Sequence, residues 1–171
     1  PDSLLRKVLE ICAPAKPLNV EQECQYGCKE AIISGNEVQL SQMLLNLILN
    51  AYQAMEKEGG FLRLSTREEE KAVWFLVADT GPGIPESLME KIFEPFFTTK
   101  ERGKGTGLGL AIVHQVLQEH GGEIEVETRE GEGTTMKVRL PKAPPRQGEE
   151  SGQTPDSARA GWQPEKEKKT S

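Results

Sequence analysis

The chain has 171 residues, of which 27 are acidic and 21 are basic, so its formal net charge is −6 at neutral pH. This balance argues against a general nucleic-acid binder, because binding to a phosphate backbone requires a cationic surface. No signal peptide is recognisable, and no apolar run is long enough to cross a bilayer. We therefore expect a soluble, cytoplasmic domain without direct membrane contact, although a longer parent chain can be membrane-anchored.

The first segment predicts a helix followed by two strands. Apolar residues recur at helical spacing between Ser3 and Cys12. The alternating stretch LNVEQECQY and the short β-branched stretch EAIIS predict strands. Cys12, Cys24 and Cys28 have neither the spacing of a zinc pair nor the even number of a disulfide framework, so we predict free thiols.

A long apolar helix is predicted next. Asn36 is its N-cap and Gln39 the capping-box partner, and the helix runs to about Glu58, ahead of two glycines. Its residues are apolar nearly all round, from Val38 to Met55, which predicts deep burial.

One polar stripe interrupts this helix, because Gln42, Asn46 and Asn50 stand at i, i+4 and i+8. A buried unpaired amide costs about 1–3 kcal/mol, so a polar group must face the stripe. Buried water or a backbone loop is one such partner. A hydrated metal ion with phosphates is the other, since an amide oxygen can complete a magnesium shell without adding negative charge.

Two hairpins and a further helix complete the predicted elements. FLRLSTR pairs with KAVWFLVAD, EIEVETR pairs with TTMKVRL, and a helix from Thr106 to Glu119 lies between the hairpins. These elements predict an α+β fold, a two-layer α/β sandwich with one mixed or antiparallel sheet and helices on one face.

The first hairpin ends in the stretch VADTGPGIP. Asp79 stands at the end of its strand, where a carboxylate can accept hydrogen bonds from a ligand amine, and Gly81 and Gly83 let a flat ring approach the backbone. The same residues are also typical of an ordinary turn.

The stretch IFEPFFTTKERGKG combines an apolar and a cationic part. Three phenylalanines within five positions predict a local apolar plug, and the basic segment after them is typical of a lid over a charged ligand or of an ordinary solvated loop. The phenylalanines are Phe93, Phe96 and Phe97, and the cations are Lys100, Arg102 and Lys104.

Alternating glycines stand directly ahead of the last helix, at Gly105, Gly107 and Gly109. Bare backbone at a helix N-terminus favours anion binding. The spacing is neither that of a P-loop nor that of a Rossmann fingerprint.

Together, these stretches resemble the ATP-binding catalytic domain of bacterial sensor histidine kinases. The motif sequences are most similar to those of the nitrogen-regulation and sporulation types. QMLLNLILNAYQAM resembles the N box, DTGPGIP the G1 box, IFEPFFTTK the F box and GTGLGLAIV the G2 box. The resemblance covers residues 1–141 and implies the Bergerat fold shared with type II topoisomerases and heat-shock chaperone ATPases. Residues 142–171 are rich in Pro, Gly and charge, which predicts a disordered C-terminal tail.

The resemblance assigns ATP and Mg²⁺ as ligands and gives individual residues their roles. Asn50 matches the magnesium-binding asparagine and Asn46 a second catalytic-site asparagine near the phosphates. Asp79 matches the aspartate that reads the adenine amine. Lys100 is an expected binding residue of the lid, and Arg102 and Lys104 are alternative sources of positive charge near the phosphates. The remaining matches are Gly81 and Gly83 beside the base, Gly105, Thr106, Gly107, Leu108 and Gly109 around the phosphates, and Thr134 near the adenine.

One departure from the family pattern is Gln53, where many members carry a basic residue. The implied phosphate acceptor is a histidine in a separate dimerisation domain, and the implied downstream partner is a response-regulator receiver domain. Neither His114 nor His120 is followed by Glu or Asp, so neither fits the acceptor. An anti-sigma-factor-type serine kinase and a non-catalytic nucleotide-binding docking module are the alternative functions.

Overall fold

A computed structural model describes residues 1–28, 30–100 and 105–143 of the chain. Within these ranges, five strands form one sheet and three α-helices pack against it. Two single 3-10 turns, at Ala13–Ala15 and Glu86–Leu88, complete the regular structure. In chain order the helices and strands are α1 (Asp2–Cys12), β1 (Val20–Gln25), α2 (Glu37–Ala54), β2 (Gly60–Glu68), β3 (Ala72–Asp79), α3 (Gly109–Glu119), β4 (Glu123–Arg129) and β5 (Gly133–Pro141).

The sheet has the strand order β1-β2-β3-β5-β4. Only β1 and β2 are parallel, and α2 provides the crossover that a parallel pair needs. The other three pairs are antiparallel. The predicted α+β sandwich with a mixed, mainly antiparallel sheet is therefore confirmed.

The core forms where alternate strand residues meet the helices. Leu62 and Leu64 of β2 and Phe75 of β3 are almost fully buried, as are Met43 and Ile48 of α2. Side chains of opposite parity lie on the other face of the sheet, where exposed charges pair across strands, such as Arg63 with Glu23. The helices thus cover one face of the sheet, and the other face is exposed to solvent.

Helices α2 and α3 are tied together where α2 begins and α3 ends. The Asn36 side chain accepts hydrogen bonds from the backbone N–H groups of Val38 and Gln39, which confirms the predicted N-cap. The reciprocal capping-box bond from Gln39 is absent from the structure, because the Asn36 N–H donates to Nε2 of His120 at 3.0 Å. Gln39 instead donates to Glu119 of α3.

Three predicted elements differ in extent. EAIIS is not a strand, since Ile33 makes only an isolated bridge to Lys142 just beyond the end of β5. Helix α2 ends at Ala54 and continues as turns toward Gly59, which has a φ of 77°. Helix α3 begins three residues later than predicted, because Gly107 has a left-handed backbone with a φ of 67°.

The burial of α2 is also less complete than predicted. Val38 is 74% exposed and Gln42 is exposed as well. Both residues lie in the first half of the helix, whereas Asn46 and Asn50 are half-buried in its second half. The polar stripe therefore faces the interior only over its last two members.

The three cysteines are free thiols. Cys12 and Cys28 are buried, and burial raises the pKa of the Cys12 thiol to about 11, so this thiol stays protonated at neutral pH. Among the helices of the described ranges, none is both long enough and apolar enough to cross a membrane.

Removing the α2 cap should reduce stability. We expect Asn36→Ala to lower the free energy of unfolding by about 1 kcal/mol, because two first-turn N–H groups lose their acceptor. Val38→Ala, at an exposed position in the same turn, is the matched control and should change it by less than about 0.5 kcal/mol. Urea unfolding of both variants measures the difference, and equal effects would contradict the cap assignment.

Candidate nucleotide site

Three polar side chains form a row across one end of the sheet, on the face that carries the helices. Asp79 of β3 pairs with Thr134 of β5, and Thr134 pairs with Thr128 of β4. They share the parity of the buried residues Val77 and Met136. The row therefore lies at the edge of the core, where the strands stop and loops begin.

Asp79 is half-buried and held by backbone donors. The Gly81 N–H donates to its Oδ1 at 2.9 Å, and the Thr134 N–H also donates to this carboxylate. Burial raises the pKa of Asp79, and the two backbone donors offset part of that increase. The structure thus presents a desolvated carboxylate whose remaining lone pairs can accept from a ligand donor.

The loop after β3 packs tightly against the turn between β4 and β5. The Gly131 N–H donates to the Pro82 carbonyl at 2.7 Å. A Cβ on Gly83, which has a φ of 71°, would overlap the Arg129 carbonyl, and a Cβ on Gly133 would overlap the Asp79 carbonyl. Glycine is required at these two positions because backbone meets backbone there.

The end of α2 closes this region from above the sheet. A Cβ placed on Gly81 would lie 3.1 Å from the Ala54 Cβ, so the loop after β3 passes directly under the last residue of the helix. A cavity of about 570 Å³ opens beside this contact. The end of α2, the loop after β3, Lys100 and Gly131 all contribute to its lining.

The N-terminus of α3 lies against the two half-buried asparagines of α2. A Cβ on Gly109 would lie 3.5 Å from the Asn50 Nδ2 and 4.0 Å from the Asn46 Cβ. No described side chain caps α3, whose N-cap residue is Leu108. The Asn46 Nδ2 is buried and has no hydrogen-bond partner among the described residues. A polar ligand that reaches these groups would remove the desolvation cost.

Lys100 reaches into the same place from the segment that precedes α3. Its Nζ donates to the Asn50 Oδ1 at 3.5 Å and to the Gln53 Oε1. Burial lowers the pKa of Lys100, and nearby Glu56 opposes that effect. The Lys100 ammonium thus lies beside Gln53, the position at which the family resemblance led us to expect a basic residue. Arg102 and Lys104, the other predicted lid cations, lie outside the described residues.

The three phenylalanines do not form one apolar plug. Phe96 is 75% exposed, whereas Phe93 and Phe97 are half-buried. Phe96 has a φ of 68°, and its N–H donates to the Gly107 carbonyl at 2.8 Å. A left-handed backbone is strained for an aromatic residue, so the contact with Gly107 fixes the orientation of Phe96 at the expense of its burial.

The structure therefore brings most of the predicted site residues together at one end of the sheet. Asp79, Gly81 and Thr134 belong to one group, while Asn46, Asn50, Lys100 and Gly109 belong to a second group. The Ala54 end of α2 connects the two groups. Gly105 lies beside Thr98 and Lys100, and the exposed Thr106 accepts from the Leu108 N–H through its hydroxyl.

Thr128 is the residue that sequence reasoning missed. Its hydroxyl contacts Ile84, Gly133 and Thr134, although nothing in the stretch EIEVETR distinguishes it from an ordinary strand threonine. Only its register opposite Thr134 indicates a role, and that register follows from the second hairpin. Among the described residues, no group of three or more His, Cys, Asp or Glu side chains is placed to bind a metal ion.

The fold and this site together define a nucleotide-binding domain of the Bergerat class. Residues 35–144 match the sequence family described as histidine kinase-, DNA gyrase B-, and HSP90-like ATPase. The chain belongs to this family, and its matches place it with the ATP-binding catalytic domains of sensor histidine kinases.

Curated relatives support the placement. The sensor kinase CckA of Brucella abortus is 42% identical over 139 residues, which cover 72% of this chain and 15% of CckA. Sporulation kinase A of Bacillus subtilis is 43% identical over 117 residues, which cover 68% of this chain and 19% of that kinase. The chain thus spans less than a quarter of the length of either relative.

Solved structures agree. The nucleotide-free catalytic domain of the histidine kinase ThkA matches with a TM-score of 0.70 and 35% identity, covering 83% of this chain and 94% of that one. Full-length ShkA in complex with AMPPNP matches with a TM-score of 0.72 and 33% identity, covering 83% of this chain and 30% of ShkA.

The Asp79 carboxyl should leave a signature in the pH dependence of stability. Because its pKa is raised above the ordinary value of 3.8, the folded domain binds a proton at higher pH than the unfolded chain, and the resulting stabilisation is lost as pH rises through the folded-state pKa. The stability of wild type relative to Asp79→Asn should therefore increase as the pH is lowered from about 7 to about 4.5. Urea unfolding of both proteins without nucleotide measures it, and a constant difference would contradict the assignment.

The contact between Phe96 and Gly107 should tolerate no side chain at position 107. We expect Gly107→Ala to lower the free energy of unfolding by about 2–3 kcal/mol, because the methyl group meets Phe96 backbone atoms as well as an unfavourable φ. Gly121→Ala is the matched control, because Gly121 also has a positive φ but its Cβ would meet only the Pro141 Cγ at 3.9 Å, and this variant should cost about 1 kcal/mol. Thermal unfolding compares them, and equal losses would show that the close approach is unimportant.

Proposed function

We propose that this domain binds Mg²⁺-ATP and transfers the γ-phosphate to a histidine of a helical dimerisation domain, for relay to the aspartate of a response-regulator receiver domain. One observation carries the proposal. The carboxylate at the end of β3 and the uncapped N-terminus of α3 meet the same face of α2 one helical turn apart, at Ala54 and at Asn50. The first suits a base and the second suits phosphates.

The base end of the site uses Asp79. The carboxylate is fixed by the Gly81 and Thr134 backbone donors and has capacity for a further donor. The exocyclic amine of adenine supplies such a donor. Gly81 keeps this approach free of a side chain, because a Cβ there would lie 2.9 Å from the Asp79 Oδ1, and Gly83 lets the same loop pack against the Arg129 carbonyl.

The phosphate end uses the α3 N-terminus, the loop from Gly105 to Gly109 and Lys100. Free N–H groups at the start of a helix favour an anion by their partial positive charge. The Lys100 ammonium, already beside Asn50, adds a full charge that can offset the phosphates. Lys100 then performs the part that a basic residue at position 53 performs elsewhere in the family.

The residues present fit a magnesium ion. Asn50 has an amide oxygen that now accepts from an ammonium group, so a cation already lies beside this oxygen. Mg²⁺ when bound would offset phosphate charge and polarise the transferring group. Asn50 would hold the ion, and the Asn46 Nδ2, which has no partner among the described residues, would donate to a phosphate or to a water of the magnesium shell.

Hydrolysis of ATP by water should be slow in this site. Family members that hydrolyse ATP carry a glutamate at the position of Asn46, where it activates water. An amide cannot accept a proton usefully, so Asn46 positions groups without activating a water nucleophile. This arrangement preserves ATP for transfer to a protein acceptor.

The acceptor histidine is proposed to lie in another domain. His120 has both ring nitrogens engaged, Nε2 by the Asn36 N–H and Nδ1 by the Val116 carbonyl. His114 lies beside the Phe93 ring on the outside of α3. We accordingly propose residues 1–141 as the catalytic domain and the cytoplasm as its location. Lys142 and Ala143, where the predicted tail begins, still donate backbone hydrogen bonds to Lys71 and Ile32, and the rest of that predicted tail lies outside the described residues.

Nucleotide titration tests the proposal. Calorimetry should detect ATP binding that strengthens with Mg²⁺, and Asn50→Ala should remove the magnesium-dependent gain, which we expect to be about tenfold. Gln42→Ala, on the same helix stripe but exposed, is the matched control and should behave as wild type. A wild-type domain without an ATP signal would overturn the proposal.

Phosphoryl transfer needs a second measurement. The domain, mixed with γ-labelled ATP and a helical segment that offers His followed by Glu or Asp, should label that segment and not itself. Label on serine would favour the anti-sigma-factor-type kinase. ATP binding without any transfer would favour the docking module.

A further inference from the structure

The Thr128 hydroxyl joins three backbone and side-chain groups at the base end of the site. It accepts from the Ile84 N–H at 2.9 Å, lies 3.0 Å from the Gly133 carbonyl and lies 3.1 Å from the Thr134 hydroxyl. Ile84 belongs to the loop after β3, and Gly133 begins β5. One half-buried oxygen on the edge strand thus connects both walls of the site.

Counting protons fixes the direction of these hydrogen bonds. A hydroxyl carries one donor hydrogen and two acceptor lone pairs. The Gly133 carbonyl can only accept, so the Thr128 hydrogen is used there, and both lone pairs accept, from the Ile84 N–H and from the Thr134 O–H. This arrangement is the one that satisfies all three contacts together.

The consequence falls on Thr134, which is 7% exposed and is the cross-strand partner of Asp79. Its only hydroxyl hydrogen points to Thr128, so toward the site its oxygen can only accept. The neighbouring Asp79 carboxylate also only accepts. The base end therefore offers two adjacent acceptors, which favour an amino substituent and disfavour a carbonyl oxygen at the same position of a ligand.

We propose that Thr128 is a positioning residue that sets base selectivity by fixing the hydroxyl proton of Thr134. The ligand class is a purine nucleotide with an amino group at the 6-position, and the inference rests on the proposed nucleotide site. Without the Thr128 hydroxyl, the Thr134 hydrogen can turn toward the ligand and donate to a 6-oxo group. Thr128 thus acts through Thr134 and need not contact the nucleotide.

The test compares ATP with inosine triphosphate, which differs at the 6-position by an oxygen in place of the amine. Thr128→Val should lower the ratio of the two affinities by about tenfold, the size of one hydrogen-bond preference. Thr128→Ser, which keeps the hydroxyl, should preserve the ratio. Thr135→Val, on the same β5 strand but on the opposite face of the sheet, is the matched control.

If Thr128→Val weakened the binding of both nucleotides equally, Thr128 would have a merely structural role and the proposal would be overturned. A reduced ratio of the two affinities in Thr128→Ser would overturn it as well. If Thr128→Val fails to fold, Thr134→Val by itself must reduce the ratio of the ATP affinity to the inosine triphosphate affinity. An unchanged ratio in Thr134→Val also overturns the proposal. Hydrogen exchange at the Ile84 amide without nucleotide should accelerate in Thr128→Val only. A wild type that binds neither nucleotide would instead overturn the proposed function, whatever the Ile84 exchange shows.

Discussion

The packing of α2 on α3 is the constraint on which the rest of the structure depends. The start of α3 lies beside Asn46 and Asn50, and its end lies beside Asn36, so the two helices run antiparallel and are fixed at both ends. This pairing brings bare helix backbone to buried amides, which neither helix achieves alone. Because the same α2 helix ends above the strand terminus at Asp79, one rigid element connects the base and phosphate ends of the site.

The two ends differ in how their polar groups are satisfied. At the base end, the Asp79 carboxylate and the threonine hydroxyls already have partners, so this part is preorganised before a ligand arrives. At the phosphate end, the Asn46 amide has no partner among the described residues, and Lys100 occupies the oxygen of Asn50. A ligand would therefore rearrange the phosphate end more than the base end, because it would displace Lys100 from the Asn50 oxygen and give the Asn46 amide a partner.

The local patterns of the sequence predicted the elements that make their own hydrogen bonds. Neighbouring residues in the sequence determine the Asn36 cap, both hairpins and the strand end at Asp79. The helical spacing of Asn46 and Asn50 likewise predicted that their side chains lie together. Long-range partners could not be read in this way. The Lys100 contact with Gln53 and the His120 contact with Asn36 join segments far apart in the chain, and the Phe96 backbone depends on its contact with Gly107 across the intervening segment. Gln42 was misjudged because helical spacing alone does not say where a helix emerges from the core.

The two outermost strands have a consequence for the behaviour of the molecule in solution. Among the strands of the described residues, β1 and β4 each leave one row of main-chain hydrogen-bonding groups without a neighbouring strand. β4 places Glu123, Glu125 and Glu127 at alternate exposed positions, and β1 carries Glu21 and Glu23. Glu23, Glu123 and Glu127 are held in ion pairs by Arg63, Arg139 and Lys137 of the neighbouring strands. Charged side chains therefore flank both open borders, and charge beside an edge strand disfavours its pairing with a further strand.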